Sequence, residues 1–144
     1  MSTKDRPKIT LEIIATAAAE LCGGQGWDSE QVADLVDVYR GSAQDGYDLA
    51  KELDITHGWM PSAHDVEVLD SFRSDVREAH RQACITWAKD NNILPPLPVG
   101  SMTTKGEITG IYAHDGACYE IREAGDTNPS RRLIVRFEDA KVQP

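Results

Sequence analysis

The chain has 144 residues, 40% of them hydrophobic and 27% charged, with a net charge of −9. Those proportions belong to a globular chain of one or two small units, which excludes wholesale disorder. The most apolar stretch, ITLEIIATAAAELC, carries Glu12 and Glu20 and is too short and too polar to span a bilayer.

The opening MSTKDRPK lacks the apolar segment of a secretory signal, so a cytoplasmic protein with no membrane partner is expected. A first helix is predicted after Pro7, with Thr10 as N-cap. Its buried face takes Leu11, Ile14, Ala18, Leu21 and Cys22, and Gly23-Gly24 ends it. Asp28 followed by Gln31 reads as a capping box opening a second helix. Trp27 is placed to staple onto Val32, and Val32, Leu35, Val36 and Tyr39 form the apolar face, with the end near Gly41. A third helix is predicted from Asp45 to Asp54 with Tyr47, Ala50 and Leu53 on one side. Gly58 and Pro61 interrupt the pattern. A fourth and longest helix is capped by Ser62 with Asp65 and runs to about Lys89. Val66, Leu69, Phe72 or Arg73, Val76, Ala79 or His80, Ala83 and Trp87 trace its stripe, which suits packing on other helices or a dimer seam.

The segment ILPPLPVG then marks a stiff joint, with a proline-rich ligand as the alternative. Beyond it, Asp115-Gly116 signals a two-residue hairpin turn. That turn pairs Tyr112 with Tyr119 and Gly110 with Ile121, with Ile108 on the same inward face. Thr109, Ile111, Glu120 and Arg122 face outward. A third strand, Arg132 to Phe137, points Leu133, Val135 and Phe137 inward. Short strands near Met102 and Lys141-Val142 raise the total to five.

Val99-Gly100, GEITGI, the hairpin, ACYEIR and LIVRFEDA together resemble a small five-stranded barrel of the Tudor, KOW or Src-homology type, over residues 97–143. The resemblance implies a one-turn helix at Glu138-Asp139-Ala140 before the last strand. Barrels of this type bind RNA, DNA, modified lysines, proline-rich peptides or only their own chain. No aromatic cage accompanies the pattern here. The expected architecture is therefore α+β. An acidic bundle of about four helices (1–92) is followed by a proline-rich linker (93–98) and a small antiparallel five-stranded β-barrel (99–144).

No catalytic residue or metal site is marked, and no cofactor is expected. Cys22, Cys84 and Cys118 form no CxxC pair. His80 and Cys84 share a helical spacing without a third ligand. GYDLAKELDIT resembles the first helix and turn of a helix-turn-helix, but HGWMPSAHD follows it with no lysine or arginine before Arg73. Arg73, Arg77 and Arg81 make a basic ridge that the nearby Asp70, Asp75 and Glu78 could neutralise.

Charge is uneven. Residues 1–94 hold 17 acids and 9 bases, whereas residues 95–144 hold 7 and 6. That imbalance disfavours attraction of the first part to nucleic acid and favours a basic protein partner. The candidate contact face is Asp28, Glu30, Asp34, Asp37, Asp45 and Asp48. The chain also resembles small, acidic, helical accessory proteins of phages and mobile elements. This implies a non-enzymatic inhibitor of a host nucleic-acid-handling or defence complex. Two alternatives stand beside it: a nucleic-acid-binding module using Arg122, Arg132 and Arg136 of the barrel, and a small enzyme with an unmarked site.

Overall fold

A computed structural model describes residues 5–125, 127 and 131–143. The chain divides into two compact units, Lys8–His80 and a second made of Met1–Pro7 with Arg81–Pro144. The division falls inside the last helix, whereas composition placed the joint at 93–98.

The first unit is helical. α1 (Leu11–Gln25) is capped by Thr10, whose hydroxyl accepts from the Ile13 N–H at 3.3 Å. Gly23 and Gly24 lie within it, and Gly26, at φ 72°, is the glycine that ends it. Its buried residues are Ala17, Ala18 and Cys22; Leu11, expected on that face, is 72% exposed. α2 (Ser29–Val38) opens with the expected box: the Asp28 carboxylate accepts from the Gln31 N–H, and the Gln31 side chain accepts from the Asp28 N–H, both at 2.9 Å. α3 (Gly46–His57) begins with a second box between Asp45 and Asp48 and ends at Gly58 in the left-handed region. Leu49, Ala50 and Leu53 form its inner face, while Tyr47, expected beside them, is 65% exposed.

The fourth expected helix is broken in two, α4 (Ala63–Asp70) and α5 (Phe72–Asp90). Ser71 makes the break. Its N–H donates to the Val68 carbonyl at 3.2 Å, and its hydroxyl donates to the same oxygen at 2.8 Å. Such back-bonding tightens the turn and bends the axis. Leu35, Val38, Leu49, Leu53, Leu69, Phe72 and Val76 then fill one core, with Tyr39 edge-on to Phe72 at 5.1 Å.

The second unit holds a four-stranded antiparallel sheet in the order β1 (Met102–Thr103), β2 (Gly106–Ile111), β3 (Cys118–Arg122), β4 (Leu133–Arg136). The sheet is open. The expected closed five-stranded barrel does not form, because β1 has two residues and, among the described residues, the segment after the one-turn helix Phe137–Asp139 contributes a single bridge, Thr103 to Val142. One bridge is too little pairing to join the two edges into a continuous ladder.

The hairpin register also differs from expectation. Ile111 pairs with Tyr119, Gly110 with Glu120 and Ile108 with Ile121, so Thr109 is bulged. The turn is longer than two residues: Tyr112 N–H donates to the Cys118 carbonyl, and Ala117, not Asp115-Gly116, takes positive φ. The bulge absorbs the shift, so Ile108, Tyr119 and Ile121 still face the core as the alternation required. Tyr112 itself is half-buried, with its ring edge-on to His114.

Trp87, Ile93, Leu97, Val135 and Phe137 complete this second core. The proline-rich stretch belongs to it. Leu97 N–H donates to the Tyr119 hydroxyl at 2.8 Å, and that hydroxyl donates to the Leu97 carbonyl at 3.0 Å. Replacing Tyr119, itself 0% exposed, with Phe takes the partner from both Leu97 backbone groups, which are partly buried. We expect a loss of about 1–3 kcal/mol, read by urea unfolding, with faster hydrogen exchange at the Leu97 amide.

Candidate binding surface

The predicted acidic face is largely occupied in holding the helices. Asp28 and Asp45 are N-caps, and Asp48 closes the second box by accepting from the Asp45 N–H at 3.2 Å. Asp34 accepts from the Trp59 indole N–H at 3.0 Å and lies 3.2 Å from His57 Nδ1. Asp37 lies 2.9 Å from His57 Nε2. Carboxylates only accept, so the Asp37 contact is a hydrogen bond donated by Nε2–H, while Nδ1 and Asp34 lie close without forming one. Glu30, in the first turn of α2, is exposed and has no side-chain partner among the described residues.

These contacts fix α3 at both ends. At its C-terminus, His57 and the following Trp59 tie it to α2, and Trp59 also meets Trp27 edge-on at 5.3 Å. At its N-terminus, the Gly46 N–H donates to Asp70 Oδ1 of α4 at 2.8 Å. A Cβ on Gly46 would lie 2.2 Å from the Val66 carbonyl oxygen, so the two helices approach as closely as glycine permits. Asp70 thus serves as an additional acceptor at a helix start, where unpaired N–H groups gather.

Apart from Asp48, the outer face of α3 is left free of these duties. It presents Tyr47, 65% exposed, and Ile55, 70% exposed, eight residues apart. Asp48, Lys51, Glu52 and Asp54 are exposed around them. Sequence reasoning missed this surface because Tyr47 was assigned inward. The signal available was the i, i+4, i+8 spacing of Tyr47, Lys51 and Ile55, which is out of phase with Leu49, Ala50 and Leu53.

Arg122 and Arg132 both adjoin the Ile121–Leu133 pair, and Arg136 lies apart at the other end of β4. Arg122 stands opposite Glu107 in the β2–β3 ladder, and both line an open groove of about 330 Å³ with Glu123. Two carboxylates beside one guanidinium disfavour a phosphate there. Arg132 donates to the Arg131 carbonyl at 2.8 Å. Arg136 pairs across from Cys118, four residues further along the strand, or about 13 Å away. Its charge is near Glu138, whose carboxyl is held down mainly by Arg6. The helix-turn-helix resemblance meets a similar obstacle. α4, which follows α3, carries Asp65, Glu67 and Asp70 and no basic residue but His64.

Of the basic ridge, Arg73 reaches the Ser42 carbonyl at 3.5 Å, and Arg81 donates to the His114 carbonyl. All three cysteines are buried, and burial pushes the Cys22 and Cys118 thiols up, away from the reactive thiolate. Among the described residues, no three His, Cys, Asp or Glu side chains gather as metal ligands, and no helix is long and apolar enough to cross a membrane. No family model matches the chain, and neither the curated proteins nor the solved structures compared with it match.

Proposed function

We propose that this chain is a non-enzymatic binding protein whose helical unit docks on a basic protein surface. The fuller form of the reading is a phage- or mobile-element-encoded inhibitor of a host nucleic-acid-handling or defence complex, covering a groove that otherwise holds nucleic acid. One observation carries it. The unit Lys8–His80 holds 15 acids and 5 bases, a net charge of −10, while the rest of the chain has 9 acids and 10 bases. The excess negative charge is confined to one unit, and carboxylates on a rigid helical scaffold can meet fixed cations at low reorganisation cost.

The test is retention on an immobilised basic protein compared with an immobilised polyanion. Retention on the basic protein that weakens steeply with salt is the expected result. Neutralising Glu30, Glu52 and Asp54 together, as Gln, Gln and Asn, should lower the eluting salt concentration. None of the three is a helix cap, so the fold should persist. Retention on the polyanion instead, or no retention on either at physiological salt, would overturn the reading.

A further inference from the structure

Charge alone leaves open which surface makes the contact and what it touches. α3 is the one helix whose two ends are both tied by side-chain bonds to neighbouring helices in the described contacts, through Asp70 and through His57. A helix held in this way keeps its outer face in one orientation. On that face Tyr47 and Ile55 are separated by eight residues, about 12 Å along the axis. Lys51 lies between them, and its aliphatic stem continues the apolar strip. Three carboxylates, Asp48, Glu52 and Asp54, flank the strip against that one lysine.

Resting on the acidic-docking reading, we propose that the outer face of α3 receives a basic amphipathic helix of another protein. Tyr47 and Ile55 are the anchors, and the three carboxylates pair with lysine or arginine on the flanks. The argument for the occupant is charge and shape. Residues at i, i+4 and i+8 form a ridge that fits the groove between side-chain rows of a second helix. A partner helix with basic flanks satisfies the carboxylates, whereas an acidic or neutral one leaves them desolvated and unpaired. Neither anchor fills the core, since Leu49, Ala50 and Leu53 already do so. Their removal should therefore spare the fold.

The probe is a labelled amphipathic helical peptide of leucine and lysine, with a leucine and glutamate counterpart, followed by fluorescence anisotropy. The wild type should bind the lysine peptide and not the glutamate one. The double variant Tyr47→Ser/Ile55→Ser should bind the lysine peptide at least about tenfold more weakly, with an unchanged thermal melt. Equal binding by the double variant would overturn α3 as the surface while leaving the acidic reading intact. No peptide binding, with retention on the basic column preserved, would overturn the helical occupant alone; loss of both would overturn the parent reading as well. Binding of both peptides, or a dimer of the protein that the double variant abolishes, would also overturn the proposal.

Discussion

Arg6→Met is expected to remove about 2–4 kcal/mol from the stability of the sheet-containing unit. Arg6 has a side chain only 8% exposed, and all three of its guanidinium nitrogens donate. Nε donates to Glu138 Oε2 at 2.6 Å and Nη2 to Oε1 at 3.0 Å. Nη1 and Nη2 also donate to the Gly116 and Ala117 carbonyls at 2.6 and 2.8 Å. The cation sits 5.1 Å from the centroid of the Trp87 ring. Burial disfavours the charge, yet the hydrogen bond and charge of Glu138 more than offset this, and the pKa is raised. Methionine would keep the apolar stem but leave two hairpin carbonyls without their donor. Hydrogen exchange in β3 should report the loss, because that strand lies beside the affected turn.

The same pair gives the unit an acid-sensitive component. The Arg6 hydrogen bond holds the Glu138 carboxyl below its ordinary value of 4.5, against the opposing effect of burial. A depressed folded-state pKa means that the contribution is complete above the unfolded value and is lost as pH falls through the folded one. Wild-type stability should therefore fall below about pH 4.5, and Arg6→Met should lack that part of the slope. Because Glu138 is 47% exposed, screening limits the size of this component, and added salt should shrink it further.

Gly46→Ala is expected to cost about 3 kcal/mol and to displace the N-terminus of α3. The added methyl would meet backbone on two sides, the Val66 oxygen at 2.2 Å and the Asp70 nitrogen at 2.7 Å, and neither can rotate away. Relief requires the helices to part, which breaks the Gly46 N–H bond to Asp70. Gly24→Ala is the internal contrast. It lies within α1, where an added methyl would meet nothing within 4 Å, so it should stabilise by about 0.5–1 kcal/mol through helix propensity. Thermal melts of the two variants should therefore move in opposite directions. If α3 carries the docking face, Gly46→Ala should also weaken binding of the basic peptide, although it removes none of the anchors.

The helix starts were legible in the residues because each cap bonds to a backbone group only three positions away. Thr10, Asp28 with Gln31, and Ser62 with Asp65 all act within that range. Strand faces were legible too, since Ile108, Tyr119, Ile121 and Val135 alternate as a half-buried sheet requires. What escaped depends on partners remote in sequence. The tightness at Gly46 is set by α4, and the bulge at Thr109 is set by how β2 meets β3. Barrel closure needed more paired residues in the last segment than form there. The acidic residues were visible as charges. That Asp34 and Asp37 hold His57 was not, because the histidine follows them by more than five helical turns of chain.

The Arg6 contact also has a temporal side. Arg6 and Glu138 are 132 residues apart, so a ribosome adding roughly 5–20 residues per second makes one of them roughly 7–26 seconds before the other. Throughout that interval the arginine lacks the Glu138 carboxylate, and well before its end the whole of Lys8–His80 has been made. The nascent chain is thus set to form its helices early and to fasten Arg6 to Glu138 last.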